Sequence, residues 1–220
     1  MLDKEEKPYI NTIAAIEYLG KSKSIVKPTA LLQGVLNRTA MLGDIATLKY
    51  LKEGGVDQIS EIHMIEPLII SIENKKEDVT LLLLEGSDTK VLNYSDPQTR
   101  ETLLHRAALK GSSRTCSMII AKNPELNVDA KSRCKATALH CAVFSGDLDT
   151  VKVLVDAGAS MKIKNDYKNT ALSLARLHNH REIQSFLENT SSNKKSGTVH
   201  EASANDPLAP PSSSRISRIE

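Results

Sequence analysis

The side chains here that could carry chemistry are three cysteines and a few histidines, and their spacing argues against most of what they might do. Cys134, His140 and Cys141 fall in one short stretch. A structural zinc site needs four ligands, usually with cysteines paired at C-x-x-C spacing. Cys134 and Cys141 lack that spacing and no fourth ligand follows, so the sequence assigns Cys134 to a turn and His140 and Cys141 to a helix. His178 and His180 flank Asn179 with no carboxylate motif beside them. No G-x-S-x-G, H-E-x-x-H or phosphate-cradling glycine loop occurs, and Gly54-Gly55 is placed to end a helix. The expectation is a chain with no catalytic, cofactor-binding or metal-binding residues, and not an enzyme. Cys116, Cys134 and Cys141 are odd in number and unpaired in spacing, which predicts reduced thiols in a reducing compartment.

Charge excludes a further class. The 220 residues hold 29 Lys/Arg and 27 Asp/Glu. From Ser191 onward there are four basic and three acidic residues, leaving 25 and 24 in the rest. A near-neutral body gives no support for polyanion binding, so no nucleic-acid partner is expected. The most apolar run, Ile62 to Leu84, is broken by His63, Glu66, Pro67, Glu73 and the polar cluster Asn74 to Asp78, so no membrane span is expected. The N-terminus, Met-Leu-Asp-Lys-Glu-Glu-Lys, lacks the apolar stretch of a signal peptide, and the expected location is cytoplasmic.

The elements that would position any site come from a repeat. Thr137-Ala-Leu-His140 returns as Thr170-Ala-Leu-Ser173 after 33 residues, Thr102-Leu-Leu-His105 stands 35 before it, and Glu66-Pro-Leu-Ile69 a further 36 before that. The second half recurs too: Gly146-Asp-Leu-Asp-Thr-Val-Lys-Val-Leu-Val-Asp-Ala-Gly158 aligns with Gly43-Asp-Ile-Ala-Thr-Leu-Lys-Tyr-Leu-Lys-Glu-Gly-Gly55. Thr is a good N-cap for the helix that follows, and Pro67 is assigned to the first helical position, where its missing N–H is harmless. Leu104, Ala107 and Ala108, like Leu139, Ala142 and Val143, then fall at helical spacing, with alanines small enough to let neighbouring helices approach. Gly111 or Gly146 ends the first helix in a left-handed conformation. A second amphipathic helix follows, carrying Val151, Leu154 and Val155 in one unit and Cys116, Ile119 and Ile120 in another. Only 3% aromatic content with no Trp suits such a core of aliphatic and Ala side chains.

This pattern resembles the ankyrin repeat, over roughly Thr29 to Glu188. The resemblance implies an all-α solenoid of about five helix–turn–helix units joined by short extended turns. It implies a structural role for His105 and His140, bonded to the adjacent turn. It also implies a protein-binding surface made of the tip residues before each Thr and the two residues before each helix-closing Gly. Those positions hold Arg133, Cys134 and Lys135, then Asp166, Tyr167 and Lys168, on the tips. On the helices they hold Leu109 and Lys110, Phe144 and Ser145, and Leu177 and His178. The candidate partner-binding residues are Arg100, Lys110, Arg133, Lys135, Phe144, Ser145, Asp166, Tyr167 and Lys168. Phe144 either faces outward as an anchor beside Tyr167 or packs between helices. Arg100, Lys135 and Lys168 occupy the tip position that is typically Gly in the family. They form either a ridge suited to an acidic partner segment or an ordinary solvated surface.

Departures from the pattern lie near Tyr94 to Thr99, where the turn is longer, and at Pro124-Glu125, which reads as an insertion after Asn123. The first unit reads Leu36-Asn-Arg-Thr-Ala40 at its first helix, which leaves that helix's bounds open. The last unit turns Ile183, Phe186 and Leu187 inward and polar residues outward, with Asn179 standing where Gly is usual. The expected organisation is a capping segment over 1–27 (a short helix from Tyr9 to Leu19), an ankyrin-repeat domain over 28–190, and a disordered Ser-, Lys- and Pro-rich tail over 191–220. The leading functional expectation is a monomeric scaffold or adaptor that holds a protein partner. The alternatives are an effector delivered to a host cell, where the tail would serve as signal, and an inhibitory ankyrin protein that masks a transcription factor.

Overall fold

A computed structural model of the chain describes residues 28–53 and 61–196. The proposed cap helix, the Gly54-Gly55 helix end and the segment from Gly197 onward lie outside the described residues. Within them the chain is all-α, with no strand. The helices are α1 (Pro28–Leu42), α2 (Ile45–Glu53), α3 (Glu61–Glu73), α4 (Glu77–Glu85), α5 (Thr89–Leu92), α6 (Leu103–Leu109), α7 (Ser113–Lys122), α8 (Ala138–Ser145), α9 (Leu148–Asp156), α10 (Ala171–Leu177) and α11 (Arg181–Ser196). Apart from α5 they form five helix pairs. First helices pack on first helices in the order α1, α3, α6, α8, α10, and second helices on second helices in the order α2, α4, α7, α9, α11, giving two layers.

The core lies between those layers and follows the predicted periodicity. Leu104, Ala107 and Ala108 on α6, Leu139, Ala142 and Val143 on α8, and Ala175 on α10 are buried. The alanines are buried on first helices that pack on one another, and their small side chains let the backbones approach. Cys116 and Ile119 on α7, Val151 and Leu154 on α9, and Ile183 and Leu187 on α11 fill the second layer. Each pair is joined by a left-handed residue: Gly43, Lys75, Gly111, Gly146 and Asn179 have φ of 82°, 55°, 67°, 77° and 59°. The residue just after three of them, Lys76, Asp147 and His180, packs back on the glycine of the preceding unit. A Cβ added to Gly111 would stand 3.0 Å from Asp147 Cβ, and one on Gly146 would stand 2.7 Å from His180 Cε1.

Polar ties lock the layers. Asp44 and Asp147 cap the second helices, accepting from Thr47 N at 3.0 Å and Thr150 N at 2.8 Å. Buried Thr80 and Ser71 share a hydrogen bond of 2.8 Å between α4 and α3. Lys122 Nζ donates to Glu85 O at 2.8 Å and Lys52 Nζ to Leu82 O, two cations at the carbonyl end of α4, where the helix dipole favours positive charge.

Two sequence expectations are corrected. Pro67 does not start a helix: α3 begins at Glu61 and carries Pro67 in its interior. Glu66 has no hydroxyl to cap a helix there, and upstream Met64 is buried while Ile65 packs on the core, so the helix gains by continuing backward against the long α1. The longer connection after α4 is also not simply a loop. It holds the helical turn α5, capped by Asp88, which accepts from Val91 N at 3.0 Å. Beyond it, Asp96 organises the tip by accepting from Gln98 N at 2.9 Å and Thr99 N at 2.8 Å. These two amide donors, Thr99 first, hold the Asp96 carboxyl below its ordinary pKa. After α7, buried Asn123 bonds Asn93 Oδ1 at 2.8 Å, joining two successive unit exits around the Pro124-Glu125 insertion. Helix α11 runs to Ser196, past the Ser191 boundary, with Ser191 Oγ donating to Leu187 O at 2.6 Å.

Candidate functional site

The surface with recognition potential is built by the first helices and the tips that precede them. His105 and His140 set its frame. Nδ1 of His105 accepts from the Thr102 backbone N–H at 3.2 Å, and Nδ1 of His140 from that of Thr137 at 3.2 Å. A backbone N–H can only donate, so Nδ1 is the bare nitrogen and Nε2 carries the proton. Nε2 then donates across the unit boundary, to Ala136 O at 3.0 Å from His105 and to Asn169 O at 3.0 Å from His140. Burial pushes both histidines below their ordinary pKa, which favours this neutral form. In the last unit Ser173 replaces the histidine and its hydroxyl bonds locally, to Thr170 O at 2.9 Å.

With both nitrogens engaged, His140 has no lone pair for a metal. Cys134 is exposed on a tip, while Cys141 is packed against the core and its thiol is pushed up to about 12 by burial. Cys116 is likewise pushed up to about 12. Among the described residues no group of three or more His, Cys, Asp or Glu side chains converges as a metal site.

The tips form a ladder. Arg133 N donates to Thr99 O at 2.7 Å and Asp166 N to Cys134 O at 3.0 Å, so each tip hangs from the previous one. Arg100, Lys135 and Lys168 adopt φ of 58°, 54° and 62°, the left-handed conformation that glycine holds without strain. Lys135 Nζ lies 2.8 Å from Asp166 Oδ1, and this partner raises the lysine pKa. Arg133 donates to Gln98 O at 3.3 Å. Tyr167 is 79% exposed.

On the helices, Phe144 faces outward, 59% exposed, with its ring edge-on to His178 at 5.2 Å. Ser145 is also exposed, its hydroxyl turned back to Ala142 O at 2.8 Å, and Lys110 is half-buried. The large exposed apolar residues of the described chain are Met41, Leu42, Leu109, Phe144, Tyr167 and Leu177. All but Tyr167 are one or two places before a helix-closing left-handed residue, so they form a row along the first helices. The sequence reading did not place Met41 and Leu42 in it, although Gly43 was the signal that could have.

Glu73 interrupts the row at the corresponding place in α3. It pairs with Arg106, which also lies 3.5 Å from Asp96 and 3.7 Å from Glu101. Arg106 thus draws three carboxylates around a guanidinium whose side chain is only 18% exposed. Arg106→Ala is expected to destabilise the chain by about 1–2 kcal/mol. The loss should shrink in high salt, as screening relieves the carboxylates left behind; urea unfolding at two ionic strengths measures both. No sequence motif marked this cluster, because its members are spread over two units and the extended tip.

Comparison with known proteins agrees with this architecture. The family described as ankyrin repeats (3 copies) matches residues 104–197. The human Notch-regulated ankyrin repeat-containing protein is 31% identical over 103 residues, 46% of this chain and 90% of that protein. The Caenorhabditis elegans transient receptor potential cation channel subfamily A member 1 homolog is 27% identical over 160 residues, 73% of this chain but 12% of the channel subunit. Alpha-latrotoxin-Lg1a of Latrodectus geometricus is 31% identical over 120 residues, 54% of this chain and 8% of the toxin. The chain thus spans only a small part of the two longer relatives and nearly all of the short one. With five stacked helix pairs, histidine ties between units and a short relative matched almost end to end, the chain belongs to the ankyrin-repeat family.

Proposed function

We propose that this chain is a scaffold or adaptor that acts as a monomer inside the cell and holds one protein partner against the face made by its first helices and tips. The observation that carries this reading is the row Leu109, Phe144 and Leu177. Folding left these large apolar side chains in solvent at one register of successive repeats. Exposed apolar residues scattered singly need no explanation, whereas a row of them marks an interaction surface. Stacked repeats present this side as an extended concave face, and aromatic side chains such as Phe144 and Tyr167 are favoured anchors. The basic tips weigh against masking of a transcription factor's basic segment, which calls for an acidic face.

Phe144→Ala with Tyr167→Ala should leave stability within about 0.5 kcal/mol, because both side chains are exposed. It should weaken partner binding by about tenfold or more, the loss of one or two hot-spot residues. Affinity capture from cytosol with wild type and double variant, followed by titration of the captured protein, tests this. A partner held equally well by both would move recognition away from this face.

A further inference from the structure

We infer that the partner segment docked on this face is acidic, with its carboxylates received by the tip edge of Arg100, Lys135 and Lys168; this rests on the binding face proposed above. The first support is local charge. The last two connections expose Lys131, Arg133, Lys135, Lys162, Lys164 and Lys168. Their acidic residues are exposed Glu125, Asp129, which accepts from Ser160 N at 2.9 Å, and Asp166, which is paired with Lys135. Six cations against three anions is a concentrated excess in a chain whose net charge is +2.

The second support is conformational. Three successive tips place a long cationic residue in a left-handed conformation that glycine would hold without strain. Folding alone favours glycine there, so these tips carry cations where the backbone by itself would select glycine. The third is rigidity: backbone bonds of 2.7 and 3.0 Å tie each tip to the one before, so the backbones that carry the charges are held in register from one repeat to the next. The apolar row beside them fits a polypeptide with acidic residues along one edge and apolar residues along the other. A nucleic acid would meet the cations with its phosphates but would make less use of an exposed aliphatic row such as Leu109 and Leu177.

The test is a random dodecapeptide library displayed on phage and selected against the full chain. Recovered peptides are then synthesised and titrated against wild type, Phe144→Ala, and the triple variant Arg100→Gly/Lys135→Gly/Lys168→Gly. The triple variant relieves backbone strain, so its melting temperature should equal or exceed that of wild type. The expected result is peptides rich in Asp and Glu around an apolar residue. They should bind the triple variant about tenfold more weakly, and wild type less well as salt rises. Peptides without acidic enrichment that bind the triple variant normally but lose affinity for Phe144→Ala would overturn the acidic partner and leave the binding face standing. Recovered peptides indifferent to Phe144→Ala, or no recovered peptide at all, would overturn the face itself. A single-stranded DNA dodecamer that binds more tightly than any peptide would also overturn the inference, in favour of nucleic acid.

Discussion

Gly146→Ala is expected to lower the unfolding free energy by about 2–3 kcal/mol, against about 1 kcal/mol for Gly158→Ala. Both glycines are left-handed, with φ of 77° and 88°, so both substitutions carry the backbone cost of an L-residue in that conformation. They differ in surroundings. A Cβ at Gly158 meets nothing within 4 Å, whereas one at Gly146 would stand 2.7 Å from the His180 ring, which stacks the last unit onto its neighbour. The excess at Gly146 is therefore a measure of how tightly α10 and α11 are held on the stack. Adding His180→Ala should remove most of that excess, because the new methyl then has room. Urea titration of the two single variants and of Gly146→Ala with His180→Ala would give all three numbers. Equal losses for the two glycines would mean that the Gly146–His180 contact is not tight in solution.

The same left-handed positions explain what was legible in the sequence. Gly111, Gly146 and Asn179 advertise their conformation by residue type, and the capping threonines Thr102, Thr137 and Thr170 mark where the next helix starts. Between such punctuation the buried faces follow from helical spacing, and Ile183, Leu187 and the alanines of α6 and α8 are buried where periodicity put them. Legibility fails where the punctuation is missing. Glu66 stands at a threonine position without a capping hydroxyl, so α3 runs past it and swallows Pro67. Lys75 stands at a glycine position, which hid the fact that Glu73 belongs to the same row as Leu109, Phe144 and Leu177.

The candidate face shows the same division. The repeat register of Phe144, Tyr167 and the tip cations could be counted from the sequence, whereas the outward exposure of Phe144 comes only from the packed stack. The pairing of Lys135 with Asp166 and the capture of Glu73 by Arg106 could not be counted either, because each joins side chains from different units whose approach depends on the stacking itself. Repeat registration tells which residues share a register, and only the packed stack tells which of them face outward and which have already found a partner. That distinction divides the face, since Arg106 and its three carboxylates occupy the N-terminal stretch and leave the apolar row continuous from Leu109 to Leu177.

His140→Ala should cost about 2–4 kcal/mol and, more tellingly, should remove part of the chain's acid sensitivity. The substitution leaves the Thr137 N–H and the Asn169 carbonyl without their imidazole partner, and it cuts one of the two histidine ties between units. His140 and His105 have pKa values lowered by burial from the ordinary 6.5, so the unfolded chain binds more protons than the folded chain once the pH falls toward that value. Their stabilising contribution is therefore complete above 6.5 and is lost as the pH falls from there through the lowered folded value. The mechanism is concrete: a proton on Nδ1 would face the Thr N–H it now accepts from, inside a buried capping box. Each histidine adds at most about 1.4 kcal/mol per pH unit to the slope. Unfolding free energies measured from pH 7.5 to 5 should fall less steeply for His140→Ala than for wild type, and less steeply again when His105→Ala is added. Parallel curves would mean that these histidines are not the neutral, buried links between units that the hydrogen bonds describe.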